Sequence, residues 1–158
     1  MKCSAILAIL LLPAAAFSMV QHVQNPHPVS IVAHAGMMTT DTESVVIRDS
    51  IYLLSGQQAI CTANAQFVNE MDGVAVAVGR YLVVLEPDGE EMFLVRPHVE
   101  NINGREQHYV AAQLMGLFEA RLSGEHVFEY RAYCGTLNLR RDGKIFSVYN
   151  QMSTMVIE

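Results

Sequence analysis

Short runs rich in β-branched and aromatic residues, separated by turn residues, fill the chain from Ser44 onward. SVVIRDSIYLL, GVAVAVGRYLVVLE and HVFEYRAYC are three such runs, and no part of this region has a clear helical period. Pro87-Asp88-Gly89 and Asp142-Gly143 have the composition of tight turns, and Gly89 is suited to a positive φ. The pattern predicts an all-β fold over residues 44–158. An antiparallel β-sandwich is expected, with a jelly-roll as the favoured topology.

Some segments are less regular. EQHYVAAQLMGLFEARL has apolar residues at both helical and strand spacing, and Gly116 among β-prone neighbours favours one or two strands over a helical turn. HVENING, which begins at His98, is predicted to be a loop, and Gly79 is predicted to bend or bulge its strand. Residues 19–43 hold two prolines and three histidines without a regular period. They are predicted to form an arm or linker, with a short strand at Val29–Ala33.

The N-terminus has the composition of a secretory signal peptide. Lys2 supplies a positive charge, the run from Ala5 to Leu12 is wholly apolar, and Ala16-Phe17-Ser18 has the small-x-small form of a cleavage site. The run is too short to span a bilayer, which needs about 20 apolar residues. We therefore expect residues 1–18 to be removed and the protein to be secreted to the extracellular space. An uncleaved anchor or a buried strand is the alternative.

The charge and the absence of known motifs exclude several functions. The chain has 10 basic and 16 acidic residues, a net charge of −6, and its Lys and Arg residues are not clustered as nucleic-acid binding requires. Nucleic acid is therefore not an expected partner. The sequence also has no Gly-rich phosphate loop, no nucleophile elbow and no His-Glu-x-x-His motif. No catalytic residue, metal or cofactor is predicted, and the protein is expected not to be an enzyme.

The cysteine count predicts one disulfide. The chain has Cys3, Cys61 and Cys134, and the first lies in the predicted signal peptide. An even pair then remains in an oxidising compartment. Strand alternation places both remaining cysteines on the more apolar face of their segments, as an internal disulfide requires. We predict a Cys61–Cys134 disulfide, which stabilises the fold by roughly 4 kcal/mol in the chain-entropy model.

The stretch from His126 to Cys134 gathers a histidine, a carboxylate, tyrosines and a cysteine. We interpret it as a structural strand, because His126 is too far along the strand to act as a base for the cysteine. Glu129 and Arg131 are interpreted as an ordinary surface ion pair that contributes little. Alternation places His126, Phe128, Tyr130, Ala132 and Cys134 on the core face, and Val127, Glu129, Arg131 and Tyr133 on the outer face.

Three clusters are weaker candidates for a site. The carboxylates around the turn EPDGEEM suit calcium, but they match no EF-hand spacing and a solvated turn is favoured. Histidines of the expected arm suit zinc or copper, although metal sites usually have tighter spacing. Two further histidines flank a loop that contains glutamates, and exposed polar side chains are the alternative there. The clusters are Glu86, Asp88, Glu90 and Glu91; His22, His27 and His34; and His98, Glu100, Glu106 and His108.

The segment LSGEHVFEYRAYCGTLNL, followed by QMSTMVIE, resembles the closing strands of secreted jelly-roll domains of the tumour-necrosis-factor and complement-head type. The resemblance is carried by residues 122–158. It implies a compact homotrimer packed around central aromatic strands, with binding through outer loops. The chain departs from that family because it has no collagen repeat or coiled coil ahead of the domain and no tryptophan. No functional residue carries over.

These observations lead us to expect a secreted, non-enzymatic extracellular binding or matrix protein that acts through protein or glycan contacts. Exposed loops such as His98–Gln107 are the expected recognition surface. A small-ligand carrier, with apolar strands around a cavity, is the first alternative. A secreted hydrolase or metal enzyme is the second. Fold alone does not choose among them.

Overall fold

The computed structural model describes residues 19–35, 43–69, 74–102, 109–136 and 143–157. Within these ranges the chain forms nine β-strands and no helix, so the predicted all-β fold is confirmed. The strands are β1 (Val20–Asn25), β2 (Val29–Ala35), β3 (Ser44–Leu53), β4 (Gln58–Asn69), β5 (Val76–Leu85), β6 (Glu91–Ile102), β7 (Tyr109–Glu119), β8 (Gly124–Thr136) and β9 (Gly143–Ile157).

Eight of these strands form two four-stranded layers. One layer has the order β6-β5-β8-β3 and the other has the order β1-β9-β4-β7. The strand β2 joins the layers at one end, because it pairs parallel with β8 and antiparallel with β9. At the opposite edges β6 and β7 lie close together, since a Cβ on Gly116 would be 2.7 Å from Leu94. The result is a nearly closed, jelly-roll-like sandwich.

The core lies between the layers, where the inward faces of β4 and β8 complement each other in size. The inward face of β4 is built from small side chains at Ala59, Cys61, Ala63 and Ala65. The inward face of β8 carries large rings, and its Phe128 and Tyr130 are fully buried. Small side chains on one layer leave room for the large rings of the other, and each buried ring stabilises the fold by roughly 1.5–3 kcal/mol.

Ring contacts extend this core along the sandwich. Tyr130 meets Phe67 edge-on, with 6.3 Å between ring centroids. Phe128 meets Phe118 in the same way at 5.9 Å. Edge-to-face pairs of this kind contribute beyond the area they bury, which fixes the spacing of the two layers. The predicted core face of β8 is confirmed, since each of its residues from His126 to Cys134 is fully buried.

The structure corrects two predictions about irregular segments. The described part of the expected arm, residues 19–35, supplies the strands β1 and β2, whose backbones pair with β9 and β8, and the short strand predicted at Val29–Ala33 is confirmed as part of β2. Prolines 26 and 28 fall between these strands, where a missing N–H breaks no ladder. The expected loop from His98 is strand up to Ile102 and pairs with β5. Both segments are paired because a partner strand distant in sequence meets them.

Other predictions for the strands and turns agree with the structure. The ambiguous segment forms the single strand β7, and Gly89 has a φ of 85° in the turn after β5. The irregularity predicted at Gly79 falls directly after it in β5, and the ring of Tyr133 lies across this glycine. A Cβ at Gly79 would be 2.2 Å from that ring. The register of β5 against β6 does shift nearby, between Arg80 and Leu82.

Several predictions fall on residues outside the described ranges. They are the signal peptide with Cys3, the turn at Asp142, and the candidate residues Glu106 and His108. In the part of the chain that the structure describes, no helix is long and apolar enough to cross a membrane.

Candidate functional site

The outward surfaces of the two layers differ in chemistry. The outward side chains of β3, β8, β5 and β6, together with Glu43, include paired glutamates and arginines, and we name this surface the charged face. The second layer presents amides, hydroxyls and apolar groups, and we name it the amide face. It comprises residues 20, 22 and 24 of β1; 149, 151, 153 and 155 of β9; 60, 62, 64 and 66 of β4; and 111, 113, 115 and 117 of β7. No Asp, Glu, Lys or Arg is among these positions, although the outward side of the same layer continues to the exposed Glu119 on β7 and the exposed Lys144 on β9.

Four amide side chains form a line across the amide face. Asn64 on β4 lies opposite Gln113 of β7 on one side and opposite Gln151 of β9 on the other. Gln24 of β1 continues the line, because it is the cross-strand partner of Gln151. Partners of this kind lie about 5 Å apart, so the four amides form one continuous row of hydrogen-bond donors and acceptors.

A groove of about 390 Å³ lies at this row. Its walls come from β4, β7 and β9, and it is open along the outer surface of the sandwich. Because its polar groups are neutral, the groove can hold a ligand through hydrogen bonds but not through ion pairs. We name it the amide groove, and it is lined by Asn64, Ala65, Gln66, Ala111, Ala112, Gln113, Tyr149 and Gln151.

A β-bulge places an aromatic ring at the amide groove. The pairing of β9 with β4 passes from Asn64–Gln151 directly to Gln66–Val148, so two residues of β9 oppose Ala65 alone. One of them, Tyr149, has a φ of 54°, the left-handed conformation that a bulky side chain rarely adopts. Its side chain is 71% exposed. The bulge therefore turns a tyrosine outward at the end of the groove.

The other bulge residue, Asn150, points inward. It is 1% exposed, and both polar atoms of its side chain are buried without a hydrogen-bond partner in the protein. A left-handed tyrosine and an unpartnered amide each cost free energy, on the order of 1–3 kcal/mol. Two such costs at adjacent residues of an otherwise regular strand are typical of a functional site rather than of a structural one.

Next to the amide row, a histidine and a serine pair across β1 and β9. The Nδ1 of His22 lies 2.7 Å from the Oγ of Ser153, and its Nε2 lies 3.0 Å from the Nε2 of Gln24. Both ring nitrogens are therefore held in a polar row that runs parallel to the amides. This histidine was a candidate metal ligand, and its observed partners are a hydroxyl and an amide.

The charged face has its polar groups paired with one another. Glu129 is 1% exposed, and its two carboxylate oxygens accept hydrogen bonds of 2.6 Å from the Nε atoms of Arg48 and Arg131. Arg131 also contacts Glu43 at 3.2 Å and Glu91 at 2.8 Å. The interpretation of Glu129 and Arg131 as an exposed surface pair is therefore wrong. Arg48 from β3 reaches the carboxylate, and Glu43 and Glu91 contact the arginine that is paired with it.

Tyr81 completes this network and links it to an aromatic layer. Its hydroxyl donates a hydrogen bond to the carboxylate of Glu43. Burial of the ring and this hydrogen bond raise the pKa of Tyr81 to about 12. The ring lies 5.5 Å from that of Phe93 and 6.2 Å from that of Tyr133. Burial on its own would lower the pKa of Arg131, but the hydrogen bonds to Glu129 and Tyr81, together with the charges of Glu129 and Glu91, raise it overall.

Between β1 and β3 the two layers are joined by side chains. The carboxylate of Asp49, 3% exposed, accepts hydrogen bonds from Gln21 Nε2 at 2.7 Å and Thr154 Oγ1 at 2.8 Å. Burial raises the pKa of Asp49 more than the hydrogen bond from Thr154 lowers it. A groove of about 470 Å³ follows this seam, lined by Gln21, Arg48, Asp49, Ser50, Glu125 and Val127.

The predicted Cys61–Cys134 disulfide is not formed in the structure, where both cysteines are free and buried. The alternation of side chains correctly predicted that both cysteines point inward. Two inward side chains on different strands are not necessarily neighbours, however. Cys61 lies on β4 opposite Gly116 and Thr154, whereas Cys134 on β8 lies opposite Ala33 and Val78. Burial raises the pKa of both thiols to about 12, so neither is a ready nucleophile.

The acidic turn after β5 is held by an arginine. Arg121 donates hydrogen bonds of 2.7 Å to both Glu86 and Glu90. Glu86 is buried and Asp88 caps the turn through the backbone N–H of Glu90. Two of the four carboxylates expected to suit calcium are thus committed to a cation of the chain itself. Among the described residues, no group of three or more His, Cys, Asp or Glu side chains is arranged to hold a metal ion.

The remaining candidate residues do not come together. His27 lies between β1 and β2, where its backbone N–H donates to the side chain of Asn25. His98 lies on β6 as the cross-strand partner of Arg80, and Glu100 forms a 2.8 Å ion pair with Arg80. The side chain of His34 lies outside the described part.

Sequence reasoning missed Tyr149 and the amide row. The alternation of β4 already places Thr62, Asn64 and Gln66 on one polar face, which was a usable signal for the row. The bulge had no such signal, because it arises from the register of β9 against β4.

The fold is similar to that of proteins in virus particles. A structure of the Gt strain of infectious bursal disease virus matches with a TM-score of 0.62 at 10% identity, and covers 95% of this chain and 37% of that chain. A crystal structure of the particle of the same virus matches with a TM-score of 0.60 at 10% identity, and covers 95% and 35%. This chain thus spans about a third of the length of those chains.

So low an identity shows the fold alone. The jelly-roll-like architecture is confirmed, while these structures give no support to the specific resemblance to tumour-necrosis-factor and complement heads. No protein-family model and no curated protein sequence matches the chain.

Proposed function

We propose that this protein is a secreted, non-enzymatic binding protein whose amide groove holds a neutral, hydroxyl-rich ligand, namely an extracellular glycan. The observation that carries the proposal is the bulge at Tyr149 and Asn150. It keeps a strained, exposed tyrosine beside a row of amides, and an unpartnered amide beneath it. The strained tyrosine and the unpartnered amide both lower the stability of the fold, and such a cost is typical of a binding site.

The chemistry of the groove suits a sugar. Hydroxyl groups both donate and accept hydrogen bonds, and so do the side chains of Asn64, Gln113 and Gln151. The apolar C–H face of a sugar ring packs against an aromatic ring such as that of Tyr149, which buries area at a low cost in side-chain entropy. The absence of Asp, Glu, Lys and Arg from the lining of the amide groove disfavours sulfated or acidic ligands that need a cation.

The same reasoning disfavours the alternatives. A carrier needs an internal cavity, whereas the rings of Phe67, Phe118, Phe128 and Tyr130 are in contact between the layers. A metal enzyme needs a ligand set, and the described residues provide none. Secretion stays a prediction from the first 18 residues. The homotrimer implied by the resemblance also stays a prediction. The similar viral proteins do occur in particles, and several copies would add avidity for a repeated glycan.

The test is a glycan array that carries neutral and sulfated oligosaccharides, probed with the protein and two variants. Tyr149→Ala removes the ring from the groove, and we expect affinity for the bound neutral glycan to fall roughly tenfold or more. Tyr52→Ala is the matched control, because Tyr52 is 66% exposed but lies on β3 of the other layer. Binding to no glycan, equal binding by both variants, or a preference set by sulfate would overturn the proposal.

A further inference from the structure

We infer, on the basis of the proposed function, that the glycan of the amide groove is an unbranched, extended chain of β-linked sugar rings. The chain lies across the strands, with one ring to each strand of the layer. It reaches a fourth binding position at Gln24 on β1, outside the groove.

The amide groove is longer across the strands than along them. Its lining residues come from the three strands β7, β4 and β9, but from no more than three successive positions on each, namely 111–113, 64–66 and 149–151. Three strands at a spacing of about 4.8 Å span roughly 10 Å, whereas three positions at about 3.4 Å per residue span roughly 7 Å. A chain-like ligand that fills the groove therefore lies across the strands.

The hydrogen-bonding groups repeat once per strand in this direction. Asn64 is the cross-strand partner of both Gln113 and Gln151, so each strand of the groove presents one amide at the same level. Neighbouring amides are therefore about 4.8 Å apart. One ring of an extended β-linked sugar chain advances by a similar length, whereas an α-linked glucose chain curves into a helix. The repeat of the amides thus fits one ring to each strand, with an amide for the hydroxyl groups of each ring.

The exposed tyrosine distinguishes one of these positions from the others. Tyr149 lines the groove on the same strand as Gln151 and two residues from it. A sugar ring at β9 can therefore stack on an aromatic ring and bond to an amide, whereas rings at β4 and β7 have an amide alone. The ring at β9 contributes most to affinity, and each further ring adds a smaller increment from hydrogen bonds.

The row of amides continues beyond the groove onto β1. Gln24 is exposed and is the cross-strand partner of Gln151. Its Nε2 lies 3.0 Å from Nε2 of His22, and Nδ1 of that histidine lies 2.7 Å from Oγ of Ser153. The contact with His22 uses one N–H of the amide and leaves its second N–H and its carbonyl oxygen for a ligand. Gln24 therefore provides a fourth position in line with the other three.

The width of the layer limits the number of positions to four. Among the described strands, β1 pairs with β9 and β7 pairs with β4, and these two strands are the edges of the layer. The row of amides thus runs from one edge to the other. A chain of more than four rings extends past the edges and gains no further amide.

Calorimetric titration with oligosaccharides of two to six rings tests the inference. The probes are β-linked oligomers of glucose and of N-acetylglucosamine, and α-linked oligomers of glucose serve as controls with the same hydroxyl groups in a curved chain. In at least one β-linked series we expect affinity to rise roughly threefold to tenfold per ring up to four rings and then to stay constant. The α-linked chain of four rings should bind at least tenfold more weakly than the β-linked one.

A variant on β1 tests the fourth position. Gln24→Ala should lose the gain in affinity between three and four rings. Tyr52→Ala, on β3 of the other layer, should keep it, and thermal unfolding checks that both variants are folded. A rise that stops at two rings, equal affinity for the α-linked chain, or a gain at the fourth ring that persists in Gln24→Ala would overturn the inference. Glycan binding that is still lost in Tyr149→Ala would then leave the proposed function standing, whereas no binding of any neutral glycan would overturn both.

Discussion

The charged face and the amide face are the two outer surfaces of one sandwich, and they use polar side chains in opposite ways. On the charged face, Glu129 is buried and each of its oxygens is held by a guanidinium. On the amide face, Gln113 and its neighbours line an open groove. The hydrogen bonds of the charged face are made within the chain. The hydrogen-bonding groups of the amide groove are open to a ligand.

The difference follows from the energetics of charge. A buried carboxylate is tolerated only with partners that offset its lost hydration, so Glu129 requires Arg48 and Arg131. A neutral amide at the surface loses little when water leaves it, provided that a ligand replaces the hydrogen bonds. The contrast teaches that the most elaborate polar network of this protein is structural. The amide face is therefore the better candidate for ligand recognition.

The largest expected effect comes from the charged face. Glu129→Ala removes the shared partner of two arginines and leaves buried donors unpaired, so the free energy of unfolding should fall by about 3 kcal/mol. Urea denaturation measures this loss. Glu125→Ala, at an exposed position on the same strand, is the control and should change stability by less than about 0.5 kcal/mol. Equal losses in the two variants would mean that the network does not support the fold.

The second predicted effect is an increase in the free energy of unfolding. Tyr149→Gly removes the left-handed strain at the bulge and should raise the free energy of unfolding by about 1 kcal/mol while it abolishes glycan binding. Tyr52→Gly, at a comparably exposed position on β3, should lower stability by about 1 kcal/mol, because glycine weakens a regular strand. Thermal unfolding distinguishes the two signs. A loss of stability in both variants would show that Tyr149 is not strained.

The smallest effect concerns Asp49, which joins the two layers. Its pKa in the folded protein is raised above the ordinary value of 3.8, so the folded state binds its proton more tightly than the unfolded state does. Its contribution to stability is then largest below pH 4 and declines as the pH rises through the folded-state pKa.

The measurement for Asp49 is the difference in unfolding free energy between the protein and Asp49→Asn, followed from acidic to neutral pH. Arg48 and Glu125 line the same groove, but they are present in both proteins and largely cancel in the difference. We expect this difference to decrease with rising pH. An increase would mean that the hydrogen bonds from Gln21 and Thr154 stabilise the carboxylate more than burial destabilises it.

Much of the fold was predictable from local pattern. Most strands from Ser44 onward, the turn at Gly89 and the buried face of β8 from His126 to Cys134 follow from residue type and alternation, whereas the second half of β6 does not. These features depend on neighbours within a few residues, so the sequence contains the information directly.

The rest depends on contacts between distant segments. Glu129 is paired with Arg48 from β3, and Arg131 is paired with Glu91 from β6, and no local pattern pairs these strands with β8. The bulge at Tyr149 exists because the register of β9 against β4 shifts by one residue there. The cysteines of β4 and β8 share an apolar environment, but strand order places them beside different partners. Alternation gives the direction of a side chain and not the identity of its neighbour.

The most direct test of the account is a nuclear magnetic resonance titration with the neutral oligosaccharide that binds best on the array. The side-chain NH₂ signals of Asn64, Gln66, Gln113 and Gln151 report on the amide groove, and the Nε–H signal of Arg48 reports on the charged face. The account predicts saturable shifts in the four amides and none in the arginine. Shifts confined to the charged face, or no saturable shift in any of the four amides, would contradict it.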